Sequence, residues 1–115
     1  MIQATLERYD LKQKLEQLRF EAAKSAHGHA TMTLAKNADT NLVLLALQAQ
    51  AELLEHTASG VLNLLILEGR IVFSAQGQEL ELHQHDLVTL GARVGHALKA
   101  HEPSAVLLTI AIPKV

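Results

Sequence analysis

Seven histidines stand at positions 27, 29, 56, 83, 85, 96 and 101 of a 115-residue chain that has no cysteine. Without thiols, disulfides, iron–sulfur clusters, cysteine zinc sites and thiolate catalysis are excluded, and metal chemistry falls to imidazoles and carboxylates. Two H-x-H pairs invite that reading. Residues two apart on a strand share a face, so His83 and His85 could chelate one ion. Gln84 and Asp86 beside them point instead to a solvated turn. His27 and His29 flank Gly28 and read as surface loop residues. His101 follows His96 by five positions, and odd spacing on a strand puts the two on opposite faces.

Other chemistries find little support. Ser25, Ser59, Ser74 and Ser104 lack the G-x-S-x-G surroundings of a nucleophile elbow. Thr57 and Ser59 neighbour His56, but a triad is defined by geometry and not by proximity in sequence. The six glycines are scattered singly, so there is no phosphate-cradling loop. Glu79 and Glu81 are carboxylates at strand spacing, read as the wet side of a strand whose dry side carries Leu80 and Leu82.

Composition narrows the classes further. Tyr9, Phe20 and Phe73 are the only aromatic residues, which argues against base-stacking platforms and aromatic cages. Ten basic residues against twelve acidic ones, with a pI near 6.4, leave no electrostatic footprint for nucleic acid. No stretch approaches the roughly 20 apolar residues of a membrane helix, and no charged segment followed by an apolar core opens the chain. The expectation is a cytoplasmic protein with neither nucleic-acid nor membrane partners. At 49% apolar residues, one domain with one core is expected.

The elements that must position these residues fall into two parts. Residues 1–29 read as a helical lead-in. Half of all Lys and Arg lie there, and Leu11, Leu15, Leu18 and Ala22 form one face of an amphipathic helix. Asp10 can cap its start, with Gln13 three residues on, and Gly28 is a stop signal. Such a helix packs on its own domain, on a second copy or on another partner. Residues 30–115 read as short strands: 31–35, 42–49, 61–67, 70–75, 78–82, 86–90, 95–100 and 105–112. Glu68-Gly69 and Gln76-Gly77 mark tight connections. Strands this short with turns this dense predict an all-β sandwich or barrel. Residues 42–47 and 61–67 are apolar on both faces apart from Asn63, so both faces should be covered. One is the interior; the other is the packing site of the helix or a subunit interface, which motivates a homodimer.

From Leu42 onward the chain resembles a small single-domain cupin, a jelly-roll-like double-stranded β-barrel. The stretch LLALQAQAELLEHTASGVLNLLILEGRIVF is similar to the first cupin motif and its flanks, and HQHDLVTLGARVGHALKA to the second. L-E-G-R-I-V-F, Q-G-Q-E-L-E-L and D-L-V-T-L follow one another with the hairpin-then-strand rhythm of that fold. The resemblance spans roughly residues 30 to 112. It aligns His56 with the first motif histidine, Gly69 with its closing glycine and His96 with the histidine of the second motif. The family binds its metal through three histidines and a glutamate. Here Ala58 replaces the second histidine and Leu62 the glutamate, so His56 and His96 are the metal ligands the resemblance retains. Glu52 and Glu55 lie near His56 in sequence and are candidates for a further ligand.

The resemblance implies that Leu62, Leu64 and Ile66 face the barrel interior, with Leu98 and Ala100 beside His96. Such a chamber suits a small, largely apolar ligand with one polar group, or a filled core. Two functions follow. One is a homodimeric cupin-domain protein with a mostly apolar pocket and a degenerate metal site, binding a small molecule or partner without classical catalysis. The alternative is a metal-dependent enzyme of dioxygenase or isomerase type using a divalent metal on His56 and His96.

Overall fold

The computed structural model describes residues 6–113. Helix α1 spans Leu11–Lys24. Asp10 caps it, its carboxylate accepting from the Gln13 backbone N–H at 3.2 Å. Leu15, Leu18 and Ala22 are buried along one stripe, as their spacing predicts. The helix ends at Lys24, ahead of the glycine expected to stop it; Gly28 serves the turn into the first strand, with a φ of +74°.

Nine strands follow among the described residues: β1 (His29–Lys36), β2 (Thr40–Leu47), β3 (Glu52–His56), β4 (Leu62–Glu68), β5 (Arg70–Ala75), β6 (Gln78–His83), β7 (Leu87–Leu90), β8 (His96–Ala100) and β9 (Ser104–Ala111). They form two sheets, of order β1-β2-β9-β4-β7 and β3-β8-β5-β6. The pairs β5·β6, β4·β7, β3·β8 and β2·β9 are antiparallel and nested one inside the next. The chain is therefore one long hairpin rolled into a double sheet, which is the jelly-roll arrangement. Its tip is the Gln76-Gly77 turn, where both residues take positive φ (52° and 76°) as a two-residue hairpin loop requires.

The sequence reading places eight strands and omits β3. Ala51 to Thr57 carries two glutamates and a histidine with no alternation, because two residues of β3 bulge outward. Leu53 pairs with Leu98 and His56 with His96, leaving Leu54 and Glu55 together opposite Ala97. Leu80 also differs from expectation. It is 44% exposed, and only Leu82 of β6 is buried.

The apolar excess of β2, β4 and β9 is absorbed on two sides. Leu45, Leu47, Leu64, Ile66 and Val106 meet Ile71, Phe73, Leu82, Leu98 and Ala100 between the sheets. Leu44, Ala46 and Ala105 face the other way, where Leu15, Leu18 and Ala22 of α1 cover them. The helix thus lies on its own five-stranded sheet, and Arg19 pairs with Glu68 beside it. Leu65 and Leu87, opposite one another on β4 and β7, belong to neither cluster; Leu87 is 66% exposed. Among the described residues, no helix is long and apolar enough to cross a membrane.

Candidate functional site

Strand β8 alternates: His96, Leu98 and Ala100 are buried, while Lys99 is exposed and Ala97 half-buried. It lies between β3 and β5, so His96 is walled on both sides and keeps only 4% of its surface exposed. Its ring stacks on Phe73 of β5, with centroids 5.8 Å apart at an interplanar angle of 21°. On the other side it meets His56, at 4.3 Å and 59°. His56 reaches this place because of the bulge. It stands three positions after Leu53, and on a regular strand the two would face opposite ways. The extra residue restores both to the inner side. His56 is nevertheless exposed, since β3 is an edge strand.

The two rings are held alike. His56 Nδ1 lies 2.8 Å from the Leu54 carbonyl oxygen, and His96 Nδ1 lies 3.0 Å from that of Val94. A carbonyl can only accept, so each Nδ1 carries the proton and donates. In the neutral ring this leaves Nε2 bare, as a lone pair for a metal or a hydrogen-bond donor.

Both rings line a cavity of about 300 Å³. Leu45, Leu53, Leu62, Leu64, Leu98, Leu108 and Ile110 form its apolar wall, and Thr57, Ala58 and Ser59 of the β3–β4 loop form part of its lining. Leu62, Leu64 and Leu98 were expected there; Ile66 and Ala100 point inward too but are fully buried in the core and do not line the space. Asn41 completes the lining and escaped the sequence reading. Its Oδ1 is buried without a hydrogen-bond partner. The available signal was parity: Asn41 is the one polar residue on the alternating set 41, 43, 45, 47 of β2.

A resident divalent metal needs four or more donors. Ala58 and Leu62, aligned with the family's second histidine and glutamate, line this cavity and offer only hydrocarbon. Glu52 and Glu55 do not supply the missing ligand. They line a groove on the outer side of the four-stranded sheet, with Glu79, Lys99 and His101. No group of three or more His, Asp and Glu side chains among the described residues could hold an ion. The residues present do not fit the family's metal set.

The remaining candidates lie elsewhere. His83 ends β6, with Nε2 3.3 Å from Glu81 and Nδ1 3.9 Å from Asp86, while His85 turns away at a φ of 76°. Arg70 donates to Glu81 at 3.1 Å and holds its carboxyl below the ordinary glutamate range, with His83 and His101 adding to the effect. The rings of His27 and His29 stack at 6.2 Å beside the turn into β1. Ser104 is structural: buried, it donates to the Glu102 carbonyl at 2.7 Å and accepts from the Arg70 backbone N–H at 3.2 Å.

No family model matches the sequence, and no curated protein matches it either. Solved structures do. A cupin superfamily protein from Desulfitobacterium hafniense superposes with a TM-score of 0.71 at 22% identity, over 74% of this chain and 78% of that one. An RmlC-like cupin from Shewanella frigidimarina gives 0.72 at 17%, over 77% and 80%. A cupin-2 domain containing protein from the same organism gives 0.71 at 14%, over 90% and 94%. The nested strand pairs, the double sheet and these superpositions agree: the chain folds as a small cupin domain.

Proposed function

We propose that this cupin domain binds a small, largely apolar molecule in its barrel, as a homodimer and without a resident metal. The observation that carries the reading is the cavity: about 300 Å³, walled by leucines, with two imidazoles in its lining and hydrocarbon at the two remaining ligand positions. That size is at the lower end of small-molecule sites, and the pattern of apolar walls with few polar groups is theirs. The dimer rests on Leu65 and Leu87, which continue the apolar outer face of the five-stranded sheet outside the footprint of α1. A second copy of the same sheet face is the occupant that matches such a strip by symmetry.

The second reading, a metal-dependent enzyme, is favoured by the two bare Nε2 atoms, since a histidine anchored through Nδ1 is the usual form of a metal ligand. Elemental analysis separates the two. Protein purified without a histidine tag is compared with the His56→Ala/His96→Ala double variant. The proposal expects no stoichiometric metal in either. About one metal per chain, lost in the double variant, overturns it in favour of the enzyme.

A further inference from the structure

The chain has three asparagines, and protein atoms satisfy two of them. Asn37 Oδ1 accepts from the backbone N–H groups of Asp39 and Thr40 at 2.9 and 3.0 Å, and Asn63 Nδ2 donates to Thr109 Oγ1 at 3.0 Å. Asn41 is different. Its Oδ1 is buried in the wall without a partner, so the amide N–H₂ is the end it turns to the cavity. Those hydrogens find no acceptor among the described residues. Asn41 lies level with Ile110 of β9 and Leu62 of β4, at the end of the cavity where the β3–β4 loop brings Thr57 and Ser59. Leu45, Leu64 and Leu108 lie farther in. The space is thus apolar in its depth and carries hydrogen-bond donors at one end. The two hydroxyls belong to exposed residues and can donate or accept; the Asn41 amide offers the cavity a donor alone. A leucine at position 41 would complete the wall with no unpaired atom. An asparagine there costs stability, and a group of this kind in a cavity wall calls for a reason.

Resting on the ligand-binding reading above, we infer that the cavity takes small neutral carbonyl compounds, with the apolar body against the leucines and the carbonyl oxygen accepting from Asn41 Nδ2. The ligand then supplies the acceptor that the fold leaves out. A carboxylate is disfavoured, because no lysine or arginine lines the space and the charge would lose its hydration.

The test uses three probes built on one ring: cyclohexanone, methylidenecyclohexane, which carries a methylene where the ketone has oxygen, and cyclohexanecarboxylate. Affinities are read from backbone amide shifts at neutral pH. An apolar wall by itself prefers the hydrocarbon, since the ketone gives up its hydrogen bonds to water. The informative quantity is therefore the ketone-to-hydrocarbon affinity ratio, in the wild type and in Asn41→Leu. It is expected to fall about tenfold or more in the variant. That variant should be at least as stable as the parent, because the buried unpaired oxygen is gone. A second measurement needs no variant. The carbonyl carbon shift of isotope-labelled cyclohexanone, when bound to the wild type, is expected near its value in water, where the oxygen accepts hydrogen bonds, and not near its value in a hydrocarbon solvent. A ratio unchanged by Asn41→Leu, or a hydrocarbon-like carbonyl shift, overturns the inference and leaves the apolar binding site standing. Tightest binding of the carboxylate overturns it too, since the site would then read negative charge. Amide shifts from none of the three probes at millimolar concentration overturn the binding reading itself, and this inference with it.

Discussion

His96 is buried and His56 is exposed although their rings touch, so each meets its environment differently. The positions between them and a full ligand set are Ala58 and Leu62, which line the same space. The double substitution Ala58→His/Leu62→Glu should therefore create divalent-metal affinity that the parent is proposed to lack. Added Mn²⁺ or Ni²⁺ should raise the Tm of the variant and not of the parent, because an ion that binds only the folded state stabilises it. An unchanged Tm with metal would mean that the aligned register is wrong. A second prediction concerns the rim of the other sheet. With Arg70 beside it, Glu81 stays ionised below the ordinary value of 4.5. Its folded pKa is depressed, so the pair's contribution is present above the unfolded pKa and is lost as pH falls through the folded one. Arg70→Met should move the Glu81 carboxyl titration upward, which a carbon-detected NMR titration reads directly. At this scale the sequence was readable where a motif assigned roles. His56 and His96 were found through the resemblance, and the structure brings them together. Asn41 belongs to no motif and was not found. The failure of Glu52, four positions before His56, to join the histidines depends on a bulge that no residue type announces.

The elements follow from hydrophobic pattern wherever the pattern is regular. Arg70–Ala75 was placed to the residue, and the Gln76-Gly77 hairpin by its turn chemistry. Strand β3 was invisible because the same bulge breaks its alternation and because an edge strand can expose both faces. Helix α1 was legible as amphipathic, but its docking partner was not: any apolar face of the right width would serve. The structure sets it on β1 and β2, and this makes the helix part of the core. Leu18→Ala should accordingly cost about 2–4 kcal/mol in urea denaturation, as deletion of a buried leucine does. Phe20 lies two residues on, with Lys24 over its ring, yet is 63% exposed. Phe20→Ala should stay within about 0.5 kcal/mol. Equal effects at the two positions would place the helix elsewhere in solution.

At the scale of the whole molecule, the jelly roll explains why residues 42–47 and, apart from Asn63, 61–67 are apolar on both faces: they have the barrel on one side, with α1 covering part of the other. The part left open is where a second copy is proposed to sit. Leu65→Asp should convert a dimer to monomers at micromolar concentration by sedimentation velocity, since an unpaired carboxylate cannot be buried cheaply. An unchanged mass would move the interface away from this face. The nesting of strands has another outcome, in the order of events during synthesis. Strand β9 is the last of the described strands but lies in the middle of its sheet, between β2 and β4. Thr40 finds its partner only at Ala111. Until residues 104–111 have left the ribosome, β2 and β4 present bare backbone edges on apolar strands, the kind of surface that pairs with other chains. A barrel built this way does not close piecemeal: its five-stranded sheet stays split until residues 104–111 are free to pair.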